Sequence, residues 1–267
     1  MKPLKTGKFR RYFFSIIFMM IITILLSSCD FMTGNSFIPG EDWENMDSEH
    51  FHIYFRDNSF AGENINQIIG IEEEAYWHIV NTLKIQYDGK TSIYIYNSPE
   101  DAGWDHIKGL AYCLDKIVLG VYSMEGKSIG VQGAACHEIT HVMTWNAIGK
   151  PGTIFLDEGT AVAMDGEWHA LSDTFIGLHQ WTKKFLASDT LPAINELVSD
   201  WDSISGLISY PVSGSFVSYI IERFGVESFK KLFIEAEEGN FKEKFNEIYS
   251  VTLDGFVEEW KVYVQQF

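Results

Sequence analysis

His137, Glu138 and His141 stand in one short run, His137-Glu138-Ile139-Thr140-His141. Residues four apart share one face of an α-helix, with Cβ atoms about 5–6 Å apart. Two imidazoles so placed can both reach one metal ion at about 2.0–2.1 Å. Glu138 lies one position round the helix from His137, where its carboxylate can approach a water on the open side of that ion. A third ligand follows in Leu156-Asp157-Glu158-Gly159-Thr160-Ala161. Glu158 completes a His₂Glu set and leaves a fourth place for water, which is the arrangement of a catalytic zinc site rather than a structural one.

These side chains need two rigid elements that fold back on each other. Hydrophobic spacing predicts a helix over residues 129–148, held to the core by Val131, Ala135, Ile139 and Val142, with the histidines turned toward a cleft. Gly149, Pro151 and Gly152 stop it. A second helix is expected over 155–165, where Gly159, Ala161 and Ala163 are small enough for close approach to the first. Asp165 and Asp157 are two options for orienting the ligand histidines. Strand-like alternation appears at 50–55, 91–96, 110–113 and 116–122. A helix is expected over 64–83, with Ile68, Ile71, Ala75, Ile79 and Leu83 inward, and a short one at 101–107. Beyond Asp165 only helical patterns occur, at 173–186, 193–198, 214–224, 227–236, 241–249 and 253–265. Sheet first and helices afterwards is an α+β order.

His137-Glu138-Ile139-Thr140-His141 followed by Asp157-Glu158-Gly159-Thr160-Ala161 resembles the gluzincins, the group of thermolysin and aminopeptidase N, and in particular the peptidase MA-like domains of bacterial proteins. The spacing from His141 to Glu158 is slightly shorter than in the best-known gluzincins and suits the MA-like subgroup. Leu191-Pro192 with Glu196-Leu197, Gly214-Ser215-Phe216-Val217 with Arg223-Phe224-Gly225, and Glu259-Trp260 resemble that subgroup's helical tail. The resemblance implies a zincin-like fold, with a small mixed N-terminal sheet and an active-site helix followed by an all-helical C-terminal subdomain. It implies a Zn²⁺-dependent peptidase with His137, His141 and Glu158 as ligands and Glu138 as general base. Tyr210 occupies a place like that of the family's oxyanion-binding Tyr, although a core aromatic with a satisfied hydroxyl is an equal reading; His169 and His179 are weaker alternatives. Residues 109–113 are the candidate edge strand for pairing with substrate backbone. No Gly-x-Met-Glu-Asn segment is present, which favours endopeptidase over aminopeptidase action.

The N-terminus carries a different message. Lys2, Lys5, Lys8, Arg10 and Arg11 precede an apolar run from Tyr12 to Leu26, and Leu26-Ser27-Ser28-Cys29 resembles a bacterial lipobox. Residues 1–28 are therefore expected to be a signal peptide, with Cys29 carrying the lipid that anchors an exported protein in the bacterial cell envelope. Residues 29–48 are expected to be a tether, 49–166 a catalytic subdomain and 167–267 a helical subdomain. Loss of the five basic residues would move the net charge from −17 to −22, which repels nucleic acid and leaves a peptide or protein as the expected substrate. Cys113 and Cys136 fit either a disulfide or two free thiols. His50, His52, His78 and His106 read as structural. No nucleotide-binding glycine motif or Gly-x-Ser-x-Gly competes. The alternative function is a non-catalytic envelope lipoprotein that binds a protein or peptide on a peptidase scaffold. The oligomeric state is open.

Overall fold

The computed structural model describes residues 43–103, 109–125, 128–130, 134–166 and 176–267. Its first half is a five-stranded sheet in the order β1-β2-β3-β5-β4. The strands are β1 (Trp43–Asp47), β2 (Phe51–Arg56), β3 (Thr91–Tyr96), β4 (Gly109–Tyr112) and β5 (Ile117–Val121). β2, β3 and β5 run parallel, and the outer strands β1 and β4 pair antiparallel to their neighbours. A parallel pair needs a crossover, and α1 (Phe60–Leu83) supplies it between β2 and β3. Ser59 caps α1 by accepting from the Gly62 N–H, and Lys84 ends it in the left-handed conformation. β6 (Ser123–Glu125) and β7 (Ser128–Gly130) form a separate two-stranded ribbon.

A π-helical turn, Ala134–Glu138, leads into α2 (Ile139–Ala147), and α3 (Ile154–Asp165) follows. The rest is helical: α4 (Leu178–Ala187), α5 (Ile194–Ser199), α6 (Gly206–Phe224), α7 (Val226–Glu235), α8 (Phe241–Tyr249) and α9 (Leu253–Val264). Their core is aromatic, with Phe155, Phe216, Phe229, Phe233, Phe245, Phe256 and Trp260 fully buried. The α+β expectation holds, with the sheet first and helices after it. Among the described residues no helix is long and apolar enough to cross a membrane.

α3 lies against α6 with almost no space between the backbones. A Cβ on Gly159 would come within 2.9 Å of Val217 Cγ2, and one on Gly214 within 2.6 Å of Val162 Cγ1. Gly159 thus serves the contact with α6, not the contact with α2 that the sequence suggested. Residues Pro39–Phe267 cluster as one unit, and the subdomain boundary expected near residue 166 cuts across this packing.

Four expectations change. The tether was drawn to residue 48, yet Trp43–Asp47 is β1, because the Trp43 ring packs edge-on against Tyr94 and Tyr96. The helix expected from residue 129 begins only at Ala134, since Ser128–Gly130 pairs as β7. The helix expected from Gly214 begins at Gly206 and runs through Pro211, so Tyr210 lies inside it. On α1 the inward position is Glu72, which is fully buried, and Ile71 is only half-buried. The helix at 101–107 lies largely outside the described residues, as do the signal peptide, Cys29, His106 and His169.

Candidate metal centre

His137 and Glu138 close the π-helical turn, His141 sits in the first turn of α2, and Glu158 comes from α3. Turns of this wide-ringed kind are rare and cluster at functional sites. Thr153 caps α3 by accepting from the Leu156 N–H, and the Gly152 N–H bonds the Phe233 carbonyl. The α2–α3 connection is thereby pinned to α7, and Glu158 is delivered to the histidines.

The three side chains converge. His137 Nε2 lies 3.1 Å from Glu158 Oε2 and 3.2 Å from His141 Nε2. His141 Nε2 lies 3.5 Å from the same carboxylate oxygen. Ligands around a tetrahedral ion with bonds of about 2.0–2.1 Å stand roughly 3.3–3.4 Å apart, and the three separations fall on either side of that value. Two nitrogens and an oxygen are also the donor set of a catalytic zinc ion. Among the described residues no other His, Cys, Asp or Glu group has this convergence.

Each histidine is oriented from behind by a different carboxylate. His141 Nδ1 lies 2.9 Å from Asp157 Oδ1, and Trp145 Nε1 donates to both oxygens of Asp157 at 3.2 Å. His137 Nδ1 lies 3.6 Å from Asp165 Oδ2. The two options read from the sequence are thus both used, one per histidine. With Nδ1–H turned outward, the Nε2 lone pairs face the convergence point.

The electrostatics favour a dication. Four carboxyl groups, on Glu138, Asp157, Glu158 and Asp165, surround two imidazoles. Burial opposes a charge on His137, but its bonds to Asp165 and Glu158 outweigh burial and lift it to about 10. His141 is raised as well, because Asp157 and Glu158 overcome the same burial. Two imidazolium ions cannot aim Nε2 protons at each other across 3.2 Å, so at least one facing nitrogen keeps its lone pair. Burial also opposes the Glu158 charge, yet the histidines hold its carboxyl well below the usual carboxylate range. Glu138 goes the other way: burial pushes it up to about 7 against the pull of both histidines.

Glu138 faces the edge of the sheet. A Cβ on Gly109 would lie 2.7 Å from Glu138 Cγ and Oε1, so any larger residue here would push this carboxylate aside. Gly109 opens β4, whose single strand partner among the described residues is β5. The start of β4, the last strand of the sheet, therefore lies beside the Glu138 carboxylate. The Tyr210 ring stands 6.2 Å from that of His137. Burial and a bond to Glu158 keep the Tyr210 hydroxyl protonated.

Other sequence candidates lie apart. His179 Nδ1 bonds Ser215 Oγ at 2.8 Å, and its ring packs on Tyr263 and Phe267. His50 bonds Glu73 and stacks on Tyr76, while His52 bonds Asp47. Cys113 and Cys136 are not joined in a disulfide. Sequence reasoning missed Trp145, although its place four residues after His141 puts it on the same helical face.

Asp157→Asn is expected to weaken metal binding at this site about 10–100-fold while the fold persists. A chelator-competition titration reads this directly, and an unchanged affinity contradicts the orienting role.

No curated protein matches the chain. The sequence model of the peptidase MA superfamily matches residues 74–266, which include the π-helical turn, the three converging side chains and every helix from α2 to α9. The chain belongs to the peptidase MA superfamily.

Proposed function

We propose that this protein is a gluzincin-type zinc peptidase that hydrolyses peptide bonds, with His137, His141 and Glu158 as ligands and Glu138 as general base. The observation that carries the reading is the convergence of the three ligand atoms within 4.8 Å of one another, with the Glu138 carboxylate beside them. A bound zinc ion would supply Lewis-acid polarisation of a carbonyl and acidify a water. Glu138 then takes a proton from the attacking water and returns it to the leaving amine. Its raised affinity for protons in this buried place suits that exchange near neutral pH. Tyr210, whose ring stands beside His137, offers its hydroxyl to the developing oxyanion. A peptide carbonyl would be brought to Glu138 beside Gly109, where β4 begins.

Glu138→Gln is expected to retain zinc and lose about 10²–10⁴-fold in kcat, read on a quenched-fluorescent peptide library. Tyr210→Phe, in the same assay, loses about 10²–10³-fold in kcat with zinc content unchanged. Full activity of Glu138→Gln contradicts the assignment of the base. A zinc-loaded wild type that binds a partner tightly and turns over no peptide supports the competing reading, a binding lipoprotein on a peptidase scaffold.

We also propose that the chain is exported and held in the bacterial cell envelope by lipid on Cys29. The basic start, the apolar run and Leu26-Ser27-Ser28-Cys29 support this. Two acyl chains on one thiol suffice for stable anchoring where a single chain is marginal. Radiolabelled palmitate should enter the wild type and not Cys29→Ser; equal labelling of both contradicts it.

A further inference from the structure

Glu72 is out of place by the rules of packing. It sits on the inward stripe of α1 with Ala61, Ile65, Ile68, Ala75, Ile79 and Leu83, and its relative exposure is 0%. It is the one Asp or Glu among the fully buried polar residues described. One oxygen accepts the Tyr122 hydroxyl, and the other, Oε2, has no hydrogen-bond partner among the described residues. A buried carboxyl with an unmet oxygen costs several kcal/mol relative to an apolar residue. Such a residue is worth retaining for what it does elsewhere.

Its surroundings lead to the metal centre. α1 packs against the π-helical turn that carries Cys136, His137 and Glu138. Tyr122, fully buried just after β5, bonds Glu72 and feels the charge of Glu138. The groups acting on Glu72 are Tyr122 and, on its own helix, Glu73. From the π-helical turn, Cys136 feels it in return. None of these is a cation, so none of the groups acting on Glu72 compensates its negative charge. Burial accordingly pushes its carboxyl up to about 8.

We propose that Glu72, in its protonated form and through Tyr122, is a positioning residue that braces the turn bearing His137 and Glu138, and that its ionisation loosens the metal centre. The neutral acid and the phenol form a hydrogen bond between α1 and the residue that follows β5, two elements that both pack on that turn. An ionised Glu72 would place an uncompensated charge in the core and draw water or the turn itself toward it. The sign follows from the shift. An unfolded Glu72 ionises near 4.5 and the folded one near 8. Folding stability from this group is therefore fully present below about 4.5 and is lost as pH rises through about 8.

The inference rests on the zinc-site reading above, and the test separates the two. The full-length chain is titrated with zinc against a chelator at about pH 7 and about pH 9, and the melting temperature of the metal-free chain is followed over the same range. Glu72→Gln mimics the neutral acid and cannot ionise. The wild type is expected to lose about tenfold more zinc affinity than Glu72→Gln between the two pH values, with the metal-free melting temperatures diverging in the same direction. Tyr122→Phe keeps the ring and removes the bond; it should bind zinc about tenfold more weakly than the wild type at the lower pH. Parallel pH curves for wild type and Glu72→Gln, in chains that bind zinc, overturn this proposal alone. A wild-type chain that takes up no zinc overturns the metal-site reading and this proposal with it.

Discussion

Two imidazole nitrogens and a carboxylate oxygen are held within hydrogen-bonding distance of one another, with their lone pairs turned inward. That crowding is unfavourable without a cation between them, and shared protons relieve it only in part. His137 and His141 cannot both present Nε2 protons across 3.2 Å. The surrounding carboxyl groups deepen the local demand for positive charge. A divalent ion at the common point answers all three donors at once, with separations that already suit tetrahedral coordination. The orienting bonds of Asp157 and Asp165 act from outside and keep the lone pairs where the crowding is greatest.

The architecture can be read as the means of keeping that arrangement from relaxing. α3 cannot slide away because Gly159 and Gly214 let it pack tightly against α6. The α2–α3 connection cannot swing because it is bonded to α7. The same α6 carries Tyr210 to the side of His137. The helical half is thus part of the site and not an appendage to it. The sheet contributes an edge: β4 ends its series, and Gly109 lets the Glu138 carboxylate lie against that edge without obstruction.

What could be read in advance was chemistry tied to fixed local spacing. His137, Glu138 and His141 are legible because a helix sets their geometry within one turn. Glu158 is legible because a glycine-and-proline turn allows a second helix to return. Asp157 and Asp165 were available as two options, and the fold assigns one to each histidine. Features set by long-range packing were not legible. The late start of the helix at Ala134 reflects strand pairing of Ser128–Gly130, which a run of apolar residues does not announce. β1 depends on Trp43 finding Tyr94 and Tyr96 about fifty residues away in sequence. Glu72 on the inner stripe was not legible, because buried carboxylates are rare and its neighbour Ile71 fits the apolar spacing. The partnership with Tyr122, fifty positions later, is invisible to local periodicity.

X-ray absorption at the zinc edge, on the full-length chain loaded with one equivalent of zinc, addresses the convergence most directly. The expected spectrum has only nitrogen and oxygen neighbours at about 2.0–2.1 Å, two of them imidazoles, in a four-coordinate shell that includes one solvent oxygen. Sulfur scattering at about 2.3 Å, which would bring in Cys136, contradicts the account. So would a spectrum with fewer than two imidazoles.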